Sequence, residues 1–168
     1  MHITVSRAGD DHVAEWGEGR RRCAVGRGGV AKKVREGDGI TPTGDWPLRR
    51  VLYRADRLNA PRCLLPVSAL APDDGWCEQP DDPDYNRLVK LPHRASVESM
   101  WRADALYDVV LVVGYNDAPV IPGLGSAIFV HLARAGFSPT AGCVAMVLPD
   151  LLAALAQLTP EDRLIVRA

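Results

Sequence analysis

The chain has 168 residues, of which 47% are hydrophobic and 24% charged, and this composition suits one compact domain with a full core. Its net charge of −1 lacks the basic excess that is typical of proteins binding nucleic acids or membrane surfaces. No apolar run approaches the roughly 18 residues of a membrane span, and the first residues alternate in polarity, so we expect neither a transmembrane segment nor a signal peptide in this chain.

The first fifty residues predict a series of short strands separated by glycines. The predicted strands cover residues 3–6, 12–16, 21–25 and 46–53. A glycine-rich loop, residues 26–44, precedes the last of them and permits tight turns. The loop lacks the Gly-Lys-Ser/Thr ending of a phosphate-binding loop, and it is therefore a weak indication of phosphate binding.

Residues 56–105 form a central segment that is rich in proline and poor in periodic patterns, which predicts a long loop insertion that is functional or mobile. The acidic run at residues 81–84 lacks the glycine and the late glutamate of a calcium-binding loop. The four cysteines lack the Cys-x-x-Cys spacing of a zinc site, so we predict no metal and no cofactor. A disulfide between Cys63 and Cys77 stays open, because it depends on the redox compartment and on geometry.

The second half continues the β pattern. Residues 107–115 are almost continuously apolar and predict a strand that is buried on both faces, with residues 127–132 as its partner. A short strand is expected after Cys143. Leucines at helical spacing predict a helix over residues 149–158, and residues 163–166 predict a final strand.

A histidine and a cysteine are the candidate reactive residues. Cys143 follows His131 by twelve residues, and the small Gly142 beside it would let a carbonyl group approach the backbone. A thiol nucleophile with an imidazole base is one interpretation of this pair. The alternative is structural, since a lone cysteine is commonly a small buried apolar residue and a lone histidine a hydrogen-bonded core residue.

Three segments of the chain carry a resemblance to a known family. They are the loop end Asp38-Gly39-Ile40-Thr41-Pro42-Thr43-Gly44-Asp45-Trp46-Pro47-Leu48, the strand with His131, and Thr140-Ala141-Gly142-Cys143. With these segments in this order, the chain resembles the L,D-transpeptidase catalytic domain (YkuD-like) family over residues 1–168. The resemblance implies a single, mainly β domain: an L,D-transpeptidase-like β-sandwich with a short C-terminal helix and a long central loop insertion.

The resemblance also implies a peptidoglycan enzyme. Family members use a thiolate to attack the carbonyl of an L-centre in a stem peptide, commonly diaminopimelate, and release the terminal D-residue. Carried over to this chain, Cys143 is the nucleophile, His131 is the base, Thr140 orients the imidazole, and the amides of Gly142 and Cys143 hold the oxyanion. We therefore expect the imidazole to make the Cys143 thiolate accessible near neutral pH, with alkylation well below about pH 8.

The chain departs from the family pattern around these residues. Ala141 replaces the usual second histidine, Leu132 replaces the glycine after the first histidine, and Ala145 stands where many members have arginine or asparagine. The interval from His131 to Cys143 is also shorter than usual. The nucleophile and the base remain, so these changes bear on the choice of substrate.

Seven polar or aromatic residues are candidates for lining a groove that binds an anionic peptide, although each is also compatible with an ordinary loop or surface contact. They are Tyr53, Arg54, Asn86, Arg87, Trp101, Tyr115 and Asn116.

The expected partners are stem peptides that contain diaminopimelate, and the expected product is a cross-link of the 3,3 type or of a 1,3 type from L-Ala to diaminopimelate. Two alternatives stay open: a cysteine-dependent L,D-carboxypeptidase or amidase, and a non-catalytic cell-wall-binding module. The family implies a location in the periplasm or cell envelope, and no oligomeric state is indicated.

Overall fold

The computed structural model describes residues 1–168 and contains fourteen strands, one α-helix and one 3-10 turn. The α-helix α1 covers Leu148–Leu155, and the 3-10 turn covers Ala135–Phe137. Neither has the length and apolar composition that a membrane crossing requires. The strands are β1 (Ile3–Ala8), β2 (Asp11–Trp16), β3 (Gly19–Cys23), β4 (Val30–Ala31), β5 (Thr41–Pro42), β6 (Gly44–Tyr53), β7 (Val67–Ala69), β8 (Asp74–Cys77), β9 (Leu88–Lys90), β10 (Val97–Ser99), β11 (Val109–Val113), β12 (Phe129–Leu132), β13 (Val144–Met146) and β14 (Arg163–Val166).

One large sheet forms the body of the protein, with the strand order β13-β12-β11-β6-β14-β1-β2-β3 and β7 added beside β6. The two ends of this sheet meet, because Ala24 just after β3 pairs with Ala145 of β13 through two backbone hydrogen bonds of 2.8 and 2.9 Å. Closure of this kind removes exposed strand edges. The predicted mainly β fold with a short helix near the C-terminus is confirmed, and the joined ends give it a barrel-like form.

The strand β11 is buried on both faces, as its continuous apolar run predicts. Val109, Leu111 and Val113 belong to the main core of 24 buried residues. Val110 and Val112 belong to a second, smaller core cluster on the opposite face. The body of the protein therefore has a covered outer face beside this strand as well as a filled interior.

The helix α1 covers part of the main core. Leu151, Ala154 and Leu155 are its buried residues and follow the spacing of one helical face. Pro149 lies in the first turn, where its missing amide hydrogen costs nothing. The helix ends three residues before the predicted limit of residue 158.

The central insertion is more ordered than its sequence suggests. It contains β7 and a separate three-stranded sheet with the order β10-β8-β9. Trp76 and Met100 pack in the second cluster together with Phe129 of β12, and the rings of Trp76 and Phe129 meet edge to face at 4.9 Å. The insertion thus lies against the outer face of the large sheet. Cys63 and Cys77, like the other two cysteines, are free thiols.

Candidate active site

His131 lies on the face of β12 that the insertion covers. Its neighbours Val130 and Leu132 point into the main core, so strand alternation turns the imidazole to the opposite side, where it is only 6% exposed. The ring atom Nδ1 lies 2.9 Å from the carbonyl oxygen of Leu132. Because a carbonyl oxygen only accepts, Nδ1 carries the hydrogen, and Nε2 presents a lone pair without a protein partner. The edge of the Tyr107 ring packs against the imidazole at 5.4 Å between ring centroids.

Cys143 reaches the same face from the adjacent strand. It directly precedes β13, and Val144 points into the main core, so the thiol turns towards the insertion. The thiol donates a hydrogen bond to the carbonyl oxygen of Ala127 at 3.1 Å. Its sulfur accepts one from the amide of Phe129 at 3.4 Å. No hydrogen bond joins the thiol to His131 in this structure.

Burial shifts the pKa values of both candidate reactive groups towards their neutral forms. It raises the pKa of the Cys143 thiol to about 12 and lowers that of the His131 imidazole to about 4. These shifts oppose a resting thiolate near neutral pH in the substrate-free protein, so an accessible thiolate stays a prediction. Their physical cause at Cys143 is the second core cluster, which removes water from the thiol. Proton transfer from Cys143 to His131 would have to accompany attack on a substrate.

The turn before Cys143 is fixed by Thr140. The Thr140 hydroxyl donates to the carbonyl oxygen of Cys143 at 2.6 Å and accepts from the amide of Gly142 at 3.1 Å. Its carbonyl oxygen accepts from the amide of Arg27 at 2.9 Å. The imidazole is hydrogen-bonded to the carbonyl oxygen of Leu132 and not to Thr140 in this structure, so a role for Thr140 in orienting the ring stays a prediction.

The same hydrogen bonds decide which backbone amide is available to an oxyanion. The Gly142 amide is occupied by Thr140, whereas the Cys143 amide donates to no acceptor within the protein. Of the two donors expected from the sequence, the Cys143 amide is therefore free in this state.

Thr41, in the Thr-Pro-x-Gly segment, supports this turn from the glycine-rich loop. Its fully buried hydroxyl donates to the carbonyl oxygen of Gly142 at 2.8 Å and accepts from the amide of Gly26 at 2.8 Å. Gly142 has a φ of +142°, and a Cβ atom there would lie 3.0 Å from the carbonyl oxygen of Ile40. The loop and the turn are thus packed too closely for a larger residue at 142.

A cavity of about 310 Å³ opens beside these residues. Its lining includes all four residues that were predicted to be catalytic: His131, Thr140, Gly142 and Cys143. It also includes six charged residues: Lys33, Glu36, Glu78, Glu98, Arg102 and Arg134. The cavity therefore combines a thiol, an imidazole and charges of both signs within one space.

The seven residues predicted to bind substrate lie elsewhere, and none of them lines this cavity: Tyr53, Arg54, Asn86, Arg87, Trp101, Tyr115 and Asn116. Several hold the fold together. Arg54 is paired with Asp56 and stacks on the Trp101 ring at 3.6 Å, and the Asn86 amide donates to the carbonyl oxygen of Tyr115 at 3.0 Å. A contact between these residues and a substrate stays a prediction.

The charged residues of the cavity were missed by the sequence analysis. Glu98 lies on β10 and accepts a hydrogen bond of 2.7 Å from the hydroxyl of Tyr107. Burial raises the pKa of the Glu98 carboxyl, and it raises that of the Tyr107 hydroxyl as well. The three-residue strand β10 is too short to give an alternating pattern, so no sequence signal pointed to Glu98.

Comparison with known proteins agrees with the geometry. The family model described as YkuD, the L,D-transpeptidase catalytic domain, matches residues 2–166. Neither the curated proteins nor the solved structures contain a match for this chain. Since the family model spans nearly the whole sequence, the chain belongs to the YkuD family of L,D-transpeptidase catalytic domains.

Proposed function

We propose that this protein is a peptidoglycan L,D-transpeptidase that joins stem peptides through an acyl-enzyme on Cys143. The family is cysteine-dependent and acts on peptidoglycan peptides, which supports this class of reaction and a place in the cell envelope. The observation that carries the proposal is one cavity lined by both Cys143 and His131, beside the unoccupied amide of Cys143.

The reaction would begin when the carbonyl of an L-centre in a donor stem approaches the Cys143 sulfur. His131 Nε2, which is unprotonated, takes the thiol proton as the sulfur attacks. The Cys143 amide donates a hydrogen bond to the developing oxyanion. His131 then returns the proton to the departing amine of the terminal D-residue, which leaves a thioester on Cys143.

The second half of the reaction replaces the sulfur by a new nitrogen. The side-chain amine of diaminopimelate on a second stem attacks the thioester, forms the amide cross-link and restores the thiol. Attack by water would instead release a shortened stem, which is the carboxypeptidase alternative. A donor carbonyl at the third residue would give a 3,3 cross-link, and one at the first residue a 1,3 cross-link.

One observation favours a non-catalytic, wall-binding role: the thiol donates to the Ala127 carbonyl oxygen and makes no hydrogen bond to His131. A direct test separates this role from the enzymatic ones. Purified protein is incubated with tetrapeptide and disaccharide-tetrapeptide fragments of diaminopimelate-type peptidoglycan, and both protein and products are measured by mass spectrometry.

The variants Cys143→Ala and Cys23→Ala provide the comparison. Cys23 is a matched control, because its thiol is also buried and its pKa is also raised to about 12, yet it lies outside the cavity. Cross-linked dimers that depend on Cys143 but not on Cys23 support the proposal, and fragmentation of the dimer assigns the bond type. Shortened monomers alone support the carboxypeptidase. Absence of any adduct or product would contradict both enzymatic roles.

A further inference from the structure

Glu98 is one of three carboxylates that line the cavity, and none of the three takes part in the reaction proposed above. Its side chain projects from the insertion into the space beside Cys143, and the Tyr107 hydroxyl is its one hydrogen-bond donor, at 2.7 Å. The Tyr107 ring also packs edge-on against His131 at 5.4 Å. Glu98 and His131 therefore flank the same tyrosine at the site of attack.

Two further carboxylates line this cavity, Glu36 from the glycine-rich loop and Glu78 from the insertion. Both lie near enough to Glu98 to raise its pKa by repulsion. None of the three forms a salt bridge, whereas the cavity cations Lys33 and Arg102 are each paired with an aspartate. Arg134, the third cation of the cavity, forms no salt bridge either, so three unpaired carboxylates share the cavity with one unpaired cation.

Ser126 is a second, independent indication that the part of the cavity lined by these carboxylates binds a ligand. Its residue is only 7% exposed and it lines the cavity, and its buried hydroxyl oxygen, which lies near the Tyr85 hydroxyl, has no hydrogen bond of good geometry. A buried hydroxyl without a partner is costly unless something else satisfies it. A primary ammonium group, with three N–H donors and a positive charge, is the chemical class of ligand that pairs with carboxylates and can also donate to oxygens beside them.

We infer that Glu98 receives the ammonium group of the acceptor stem and takes the proton that must leave before the nitrogen can attack. This inference rests on the proposed transpeptidase function. An ammonium group has no lone pair, so it is not a nucleophile until one proton is removed. The three carboxylates attract the cation, and Glu98 is the one of them that is hydrogen-bonded to Tyr107, whose ring packs against His131.

The proton balance is complete with the groups at hand. The ammonium gives one proton to the Glu98 carboxylate, and the nitrogen lone pair forms a bond to the thioester carbon. The carbon–sulfur bond breaks with its electron pair moving to the Cys143 sulfur. His131 carries a second proton from the nitrogen to that sulfur, which leaves an amide, a thiol and a protonated Glu98 that returns its proton to solvent.

The test separates acylation from aminolysis. Wild-type protein, Glu98→Gln and the control Glu161→Gln are supplied with a tetrapeptide donor and a diaminopimelate-containing tripeptide acceptor. Glu161 is a suitable control because its carboxylate is exposed and lies outside the cavity. We expect Glu98→Gln to release the terminal D-residue as the wild type does, while its ratio of cross-linked to hydrolysed product falls by about tenfold or more. Glu161→Gln should match the wild type.

A weakly basic nucleophile distinguishes a role in proton transfer from a merely structural role, because a structural defect would slow the reaction with every nucleophile. Hydroxylamine is largely unprotonated at neutral pH and needs no proton acceptor before attack. Glu98→Gln should therefore react with hydroxylamine as the wild type does, although it discriminates against the alkyl amine. Equal losses with both nucleophiles, or an unchanged product ratio, would overturn the inference.

Thermal unfolding of each variant shows whether it folds. If Glu98→Gln does not fold, Glu98→Asp takes its place, because it keeps a carboxylate but shortens the side chain by one methylene group; a ratio of cross-linked to hydrolysed product lowered by about threefold or more supports the inference, and an unchanged ratio overturns it. If the wild type releases no D-residue and forms no adduct, the proposed function itself has failed. If the wild type acylates and Glu98→Gln keeps the wild-type product ratio, only the inference about Glu98 has failed.

Discussion

Replacing Thr41 by valine should lower the free energy of unfolding by more than the local sequence suggests. Valine has nearly the shape of threonine, so the substitution removes a hydroxyl without opening a cavity. The fully buried hydroxyl serves two backbone groups, the Gly26 amide and the Gly142 carbonyl oxygen, each at 2.8 Å. Each group would be left buried and unpaired at a cost of about 1–3 kcal/mol, which gives a total of roughly 2–6 kcal/mol.

The loss should also reach the reaction, because the Gly142 carbonyl oxygen anchors the turn that carries Cys143. A nucleophile displaced by about 1 Å can lose roughly a hundredfold in rate. We expect the folded fraction of Thr41→Val to acylate on Cys143 much more slowly than the wild type. Acylation is measured by intact mass against time, with the tetrapeptide donor in excess.

Thr43→Val is the matched control, since Thr43 belongs to the same segment, is only half-buried and makes no side-chain hydrogen bond. Unfolding in urea gives the free energy of each variant. Thr41→Ser keeps the hydroxyl and should lose only about 1 kcal/mol for the missing methyl group. Equal stabilities of Thr41→Val and Thr43→Val, within about 0.5 kcal/mol, would refute the assignment of Thr41 as the support of the turn.

Three further predictions follow from the burial and backbone of the site. Without substrate, iodoacetamide at pH 8 should label Cys143 about tenfold more slowly than the half-buried Cys63, because burial raises the Cys143 pKa to about 12. Peptide mass spectrometry measures both rates, and faster labelling of Cys143 would show a thiolate at rest. The folded-state pKa of His131 lies at about 4, below its usual 6.5, so the unfolded chain binds more protons and the free energy of unfolding should fall by roughly 2–3 kcal/mol as the pH drops from 6.5 towards 4. In urea unfolding at several pH values, His131→Gln should lack this pH dependence, and an unchanged dependence would contradict the assignment. Gly142→Ala should destabilise the protein by about 1–3 kcal/mol and slow acylation, since φ is +142° and a backbone oxygen would lie 3.0 Å from the new Cβ. Gly9→Ala, which also has a positive φ (+65°) but nothing within 4 Å of the new Cβ, should leave acylation unchanged.

The large sheet could be predicted from the sequence because its strands carry strong local patterns. The apolar run of β11 predicted a strand buried on both faces, and the structure places one face on the main core and the other on the second cluster. The helix was expected from its leucine spacing, and its end differed by three residues because no distinct capping signal marks it. These elements depend on local periodicity, which a single sequence displays.

The insertion could not be predicted in the same way. Its strands β8, β9 and β10 have three or four residues each, too few for alternation to stand out. Their pairing depends on long-range contacts such as Trp76 on Phe129, which no local pattern encodes. For the same reason the sequence indicated Cys143 and His131 by residue type, but it did not reveal that burial shifts the pKa values of both towards the neutral form.

The departures from the family pattern and the insertion are connected by the geometry of the sheet. Ala145 pairs directly with His131 in the register of β12 and β13, and it lines the cavity along with Ala141. Small side chains at these two positions leave space where a histidine or an arginine would otherwise stand. The insertion reaches the same cavity with the charged side chains of Glu98 and Arg102. We therefore predict that groups from the insertion make the substrate contacts that other family members make from the strand of the nucleophile, and that the insertion decides the choice between stem peptides.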